Sequence, residues 1–194
     1  MQAKALAAVA RRLNREAGSP SIPALYFLTD PTRTPDPLAV VRTLPRSVHV
    51  IYRHFGQIGL NPVALARLCR ARGLQLSIAA DPDLAADLGA GLHWPERLLK
   101  TARPFKGFVT ASAHTAAGLR RATAFGVDAC LLAPVFPTRS SSGNRPLGLI
   151  RAGQLARGAS IPVIALGGVN AGNAHKLSRR GFAGVAAIDA FLGA

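Results

Sequence analysis

Acidic residues are scarce in this chain: Asp and Glu total 9 against 24 Lys and Arg in 194 residues, a formal net charge of +15. Such a balance favours acidic partners, whether a phosphorylated metabolite, nucleic acid or an anionic membrane. The arginines are spread along the chain (Arg11, Arg42, Arg67, Arg120, Arg157, Arg179) and form no single block. No RNP, KH or zinc-finger pattern accompanies them, so solvated helix faces account for the charge and nucleic acid is not the expected partner. Long apolar runs are also missing, and none approaches the ~20 residues of a membrane span. Cysteine is limited to Cys69, in a helical pattern, and Cys130, in a strand pattern. Both read as buried thiols of a reducing compartment, which points to the cytoplasm and away from a disulfide. Aromatic residues make up only 6% of a chain that is 49% hydrophobic, so the core must be built from Ala, Leu and Val. The length suits one domain with a sizeable core rather than two.

What is present is concentrated between 129 and 190. Three short apolar runs there each end in residues suited to a ligand: Pro137-Thr138, Gly167-Gly168 and Ile188-Asp189. Apolar runs of this length alternating with helical segments read as βαβ units of a parallel sheet. A Gly-Gly at the carboxyl end of a strand lets backbone N–H groups approach an anion closely.

The same alternation runs back through the chain. Strands are expected at 24–30, 48–55, 74–80, 91–94, 107–114, 129–136, 162–168 and 184–188. Helices are expected at 37–44, 61–72, 82–88, 96–103, 115–125 and 147–157, and from about 170–173 to just before Gly181. Asn61 before Pro62 is a natural helix cap. The sequence therefore predicts an α/β fold, a compact (β/α)8 TIM barrel whose short loops match its small size. The last strand is followed only by 189–194, so the eighth helix is truncated. Residues 3–16 form an extra basic amphipathic helix with Leu6, Val9 and Leu13 on one side. Its Arg/Ala content is that of an organellar transit segment. The expected role is nonetheless structural: the helix, or a second subunit in a homodimer, covers the last strand. On this reading 1–20 is a helical extension and 21–194 a single barrel domain.

Carboxyl ends of barrel strands carry sites. Here they present Asp30, Arg53, His54, Asp81, His93, Ser112, His114, Thr138, Gly167, Gly168 and Asp189. His54, His93 and His114 have the residue type for a three-histidine metal site.

The motifs APVFPT (133–138), IPVIALGGVNAGN (161–173) and GVAAIDA (184–190) resemble those of the thiamine phosphate synthase/TenI family. Weaker matches lie at SAH (112–114), GLH (91–93) and LYFLTD (25–30). The family carries His at the places of His93 and His114, which explains those two without a metal. The resemblance implies that Arg53, Ser112 and His114 act in catalysis. It places Thr138, Arg139, Ser140, Gly167, Gly168, Ile188, Asp189 and His93 around a small phosphorylated thiazole- or pyrimidine-type metabolite. The implied activity joins a pyrimidine methyl diphosphate to a thiazole phosphate with release of pyrophosphate, using Mg2+.

The chain departs from that pattern on one side. The family's strand-2 QLRxK reads Ile51-Tyr52-Arg53-His54-Phe55, so Gln and Lys are lost. Its strand-3 IND reads Ile78-Ala79-Ala80, so a metal-binding Asp is lost, and Asp81 is the possible metal ligand next to it. The acid after the HLG motif falls near Leu98 or Leu99, with Glu96 close by, and the loop Lys falls near Ser141, between Arg139 and Arg145. The histidine of the tautomerase branch falls at Ala133-Pro134. A terminal Ser is replaced by Asp189, which either opposes phosphate, unless Arg53 or a loop Arg intervenes, or caps the last turn. The expectation is a phosphate-binding barrel with the Mg2+–diphosphate half degraded. An active synthase with arginines replacing the missing Lys is the alternative.

Overall fold

The computed structural model describes residues 2–55, 61–99, 105–138 and 145–192. Eight parallel strands close in sequential order: β1 (Leu25–Leu28), β2 (Val48–Tyr52), β3 (Gln75–Ala79), β4 (Gly91–Trp94), β5 (Val109–Ala113), β6 (Ala129–Leu132), β7 (Val163–Ala165) and β8 (Phe182–Ala187). The helices are α1 (Gln2–Glu16), α2 (Pro37–Thr43), α3 (Pro62–Ala71), α4 (Pro82–Asp87), α5 (Ala116–Phe125) and α6 (Leu149–Arg157). Three of them start alike. Asp36, Asn61 and Asp81 each accept a backbone N–H through the side chain, and each is followed by Pro at the first helical position. That pairing satisfies an orphan donor and presets the first helical φ. The barrel expected from the sequence is the barrel observed.

Alternation along the strands separates two apolar layers. Phe27, Val50, Ile78, Leu92, Cys130, Leu132 and Val185 face outward and meet Val41, Leu65, Leu119 and Ala152 of the helices. Tyr26, Leu28, Ile51, Leu131, Ile164 and Ala186 fill the interior. Cys69 and Cys130 are buried free thiols, and burial pushes them up to about 11 and about 12 respectively.

The interior also holds two buried histidines. His49 Nδ1 lies 3.1 Å from Gln75 Oε1 and its Nε2 2.8 Å from Ser77 Oγ. With the Gln75 oxygen accepting, Nδ1 carries the proton and the Ser77 hydroxyl donates to Nε2. His93, nearer the mouth, contacts Thr110 Oγ1 at 2.8 Å and Ser112 Oγ at 2.9 Å. Burial lowers His49 to about 4 and His93 to about 3, so both are neutral at ordinary pH.

At the other face, α1 packs on β8. Asn14 Nδ2 donates to the Ala183 carbonyl at 3.0 Å across the apolar contact made by Leu6, Ala10 and Leu13. Glu16 receives Ser178 Oγ at 2.8 Å and the Arg179 N–H at 2.7 Å, the latter holding its carboxyl below the usual range. The N-terminal helix thus occupies the place of an outer helix on β8, and among the described residues β8 is followed by a one-turn 3-10 segment, Asp189–Phe191.

Two expected helices are reduced. Glu96–Leu98 forms a 3-10 turn, and the rest of the expected 96–103 segment beyond Leu99 lies outside the described residues. After β7, Asn170 Oδ1 accepts from the Gly172 and Asn173 N–H groups, and Asn173 Oδ1 accepts from the Asn170 N–H. These side chains compete with helical backbone bonds, leaving only the 3-10 turn Ala174–Leu177.

Two outcomes follow. Asn14→Ala leaves the buried Ala183 carbonyl without its partner and should cost about 1–3 kcal/mol, read as a lower urea midpoint. An unchanged midpoint would mean that α1 is not docked on β8. For the histidines, the unfolded chain takes up protons near the ordinary value of 6.5, whereas native His49 and His93 resist until about 4 and about 3. Stability should therefore be full above 6.5 and fall as pH is lowered from there toward 3–4. His49→Gln should flatten that fall in denaturation measured across the range.

Candidate functional site

The carboxyl ends of the strands open on a cavity of about 1180 Å³. Its floor includes Leu28, Ala186 and Leu166, and its walls divide into three groups of side chains.

The first wall is β6–β7–β8. The segment after β7 lies directly on the segment after β6. Val135 N–H donates to the Leu166 carbonyl at 2.9 Å and Phe136 N–H to the Gly167 carbonyl at 3.0 Å. The approach is close enough to exclude side chains. A Cβ on Gly167 would stand 2.6 Å from Pro134 Cβ, and one on Gly168 would run into the Pro137 carbonyl. Both glycines also hold left-handed φ, 89° and 66°. Asn173 Nδ2 fixes the Gly168 carbonyl at 2.8 Å. Among the described residues, the N–H groups of Gly167, Gly168, Ile188 and Asp189 have no acceptor. Unpaired backbone donors clustered at a cavity wall form a cup for an anion.

The second wall is β4–β5. Here Glu96 is the hub. Its Oε2 receives the His114 backbone N–H at 2.7 Å and lies 2.8 Å from His114 Nδ1, while Arg121 reaches Oε1 at 2.6 Å. The carboxylate fits because α5 has no side chain at Gly118, where a Cβ would overlap it. A carboxylate on Nδ1 fixes the tautomer and leaves Nε2 of His114 as the nitrogen for a ligand. Beside it, Ser112 is backed by neutral His93, so the tautomer of His93 decides whether the hydroxyl donates or accepts.

The third wall is β1–β2 with the turn after β8. Asp30 receives Arg33 at 3.1 Å and Arg53 at 3.4 Å, and Arg33 reaches Asp189 at 3.4 Å. Burial opposes the charge on Asp30, yet the hydrogen bonds from Arg33 and the two guanidinium charges hold its carboxyl below the usual range. Burial, with Arg33 nearby, pushes Arg53 down to about 10 despite the favourable charge of Asp30. Arg53 also donates Nε–H to the Thr29 carbonyl at 2.7 Å and lies 5.2 Å over the ring of Phe55, an exposed aromatic on the cavity rim.

Arg53, His93, Ser112, His114, Thr138, Gly167, Gly168, Ile188 and Asp189 all line this one cavity. Arg139 and Ser140, like Ser141, lie outside the described residues. Asp81 does not join them: its carboxylate caps α4, accepting the Leu84 N–H at 3.0 Å. His54 stacks near Tyr52 at 6.0 Å and does not line the cavity. Among the described residues no group of three or more His, Cys, Asp or Glu side chains is placed to hold a metal ion. Asp189 is not a side-chain cap of the last turn, and a loop arginine does stand against it. Arg33 and Arg121 escaped the sequence reading. The turn Asp30-Pro-Thr-Arg33, in which Asp30 Oδ1 accepts the Arg33 N–H at 3.1 Å, was the available signal for the first.

The donor set bears on Mg2+, which the family resemblance implies. Asp30, Glu96 and Asp189 line the cavity, but each is already paired with arginine, and Ala79 and Ala80 offer no oxygen through their side chains. The described residues do not fit a magnesium site of the usual carboxylate kind.

Residues 61–191 match the family model described as thiamine monophosphate synthase. The thiamine-phosphate synthase of Halorhodospira halophila is 33% identical over 140 residues, covering 68% of this chain and 66% of the relative. The thiamine biosynthesis bifunctional protein ThiED of Geobacter sulfurreducens is 29% identical over 192 residues, covering 93% of this chain and 39% of the relative. The chain thus spans less than two thirds of the length of these curated relatives. Among solved structures, thiamine phosphate pyrophosphorylase from Pyrococcus furiosus superposes with a TM-score of 0.68 at 23% identity, covering 96% of this chain and 90% of that one. That likeness establishes the barrel fold. With the family model spanning most of the barrel, the chain belongs to the thiamine monophosphate synthase/TenI family.

Proposed function

We propose that this protein binds a phosphorylated thiazole- or pyrimidine-type metabolite in the cavity and does not catalyse the Mg2+-dependent synthase reaction. One observation carries the reading: the backbone cup is intact, whereas the two shielded carboxylates lining the cavity, Asp30 and Glu96, are held by arginine, and Asp189 alone is no magnesium site. The phosphate would sit against the N–H groups of Gly167, Gly168 and Ile188, near Thr138. The heterocycle would extend toward Ser112 and Nε2 of His114, which supply hydrogen bonds to ring nitrogens or an amino group. Phe55, with Arg53 behind it, offers an aromatic face for stacking.

The synthase reaction ionises a C–O bond and places charge on departing diphosphate. In the relatives named above that activity is part of the name, and family chemistry uses Mg2+. Arg53 can offer charge, but it is already held by Asp30 and the Thr29 carbonyl.

A second reading, an active synthase, has its own support: Arg33, Arg53, Arg97 and Arg121 all line the cavity, with Arg97 exposed, and together they can meet a diphosphate. One experiment separates the two. Purified protein is incubated with pyrimidine methyl diphosphate, thiazole phosphate and Mg2+, and thiamine phosphate is measured beside calorimetric binding of thiazole phosphate in EDTA. The expected result is binding without product above the no-protein control. Product abolished by EDTA would establish the synthase instead, and folded protein with neither product nor binding would remove both readings.

A further inference from the structure

The turn after β8 contributes both halves of an unusual pairing. Its backbone N–H groups at Ile188 and Asp189 belong to the anion cup, and the Asp189 carboxylate stands beside them on the same cavity wall. A carboxylate next to a phosphate is repulsive unless a cation separates them. The cation is Arg33, and Asp189 already holds it.

The links of the chain Arg53–Asp30–Arg33–Asp189 are not equal. Arg53 is fixed from two directions, by Asp30 at 3.4 Å and by the Thr29 carbonyl at 2.7 Å. Arg33 is tied to Asp30 at 3.1 Å, and that carboxylate is largely shielded, its side chain 18% exposed. The outer link, Arg33 to Asp189, is 3.4 Å long and its carboxylate is 46% exposed. A solvated single contact of this kind contributes little and opens easily. It is the link that an arriving anion can replace, because Arg33 then exchanges one anionic partner for another while Asp189 turns to water.

We propose that Asp189 is a specificity-determining residue: an internal counter-anion that competes with the ligand's phosphate for Arg33 and lowers discrimination between phosphorylated and unphosphorylated forms of the same heterocycle. This rests on the phosphate-binding reading given above. The amide cup draws the phosphate in, the carboxylate sets a charge against it, and Arg33 is shared between them. A ligand bearing a free hydroxyl is not penalised, since Asp189 can accept its hydrogen bond.

The test uses the full chain and calorimetric titration with thiazole phosphate, and separately with the corresponding thiazole alcohol, at low and at physiological salt. Asp189→Asn, at an exposed position, keeps the shape and removes the charge. It should tighten thiazole phosphate about five- to tenfold, give the alcohol no gain, since the Asn oxygen still accepts from its hydroxyl, and lose part of the phosphate gain as salt screens the site. Arg33→Gln should weaken phosphate binding more in the Asp189→Asn background than in the native chain, since only there is Arg33 fully available. Equal phosphate affinity in native and Asp189→Asn protein overturns the inference and leaves the phosphate-binding reading standing. Equal tightening of phosphate and alcohol also overturns it. If neither protein binds thiazole phosphate, the phosphate-binding reading falls and the inference falls with it.

Discussion

Closure between β8 and β1 is the constraint on which the rest depends. A parallel sheet of strands this short has no stable edge, and the barrel removes edges only when its last strand meets its first. The meeting is tight. Val185 N–H donates to the Ala24 carbonyl at 2.9 Å, and Gly184 allows it, since a Cβ there would run into that same carbonyl. Outside this seam α1 covers β8 from the other end of the sequence, Asn14 donating to the Ala183 carbonyl. Inside the seam, the end of β8 delivers Ile188 and Asp189 to the cavity beside Asp30 and Arg33 from β1. The same strand pairing that closes the fold therefore assembles one wall of the site.

The cavity shows how a basic chain disposes of its few acids. Asp30, Glu96 and Asp189 face the cavity, and arginines hold all of them. Surface ion pairs add little to stability individually, but here they decide chemistry. A carboxylate that already accepts from a guanidinium and a backbone N–H is a poor ligand for Mg2+, whose small, ordered shell demands free oxygen donors. Glu96 does something else with its charge: it fixes the ring of His114.

Much of this was legible in the sequence. Strand order, the closed barrel and the Gly-Gly cup follow from apolar runs and their punctuation, which are local features. The expected helix after Gly168 was not realised, because Asn170 and Asn173 spend their side chains on each other's backbone, and periodicity does not register that competition. Asp81 looked like a metal ligand by position, yet Asp followed by Pro is also a helix start, and the cap prevailed. Arg33 and Arg121 were missed for a different reason. Arg33 meets Asp189 only once the end of β8 lies beside β1, and Arg121 meets Glu96 only once α5 packs beside the turn after β4, so those contacts exist only after distant segments have been brought together.

The two halves of the cavity are encoded differently, so substitution acts on them unequally. The anion cup is made of backbone. Gly167 and Gly168 are held by packing against Pro134, Phe136 and Pro137, so any larger residue would disturb β6 and β7 as well as the site. The rim at β2 and β3 is made of side chains on backbone that is itself unusual. Phe55 and Ala80 hold left-handed φ of 49° and 63°, a conformation that costs a non-glycine residue energy. The backbone there retains a special shape while Phe55, Ala79 and Ala80 lack the groups that would coordinate a metal. The side chains of Phe55 and Ala80 can be exchanged without touching the barrel's buried packing, whereas Ala79 belongs to the interior layer. On the proposed reading, such a barrel would give up metal-assisted chemistry more readily than phosphate binding, since changing Gly167 or Gly168 would also cost it the fit between two strands.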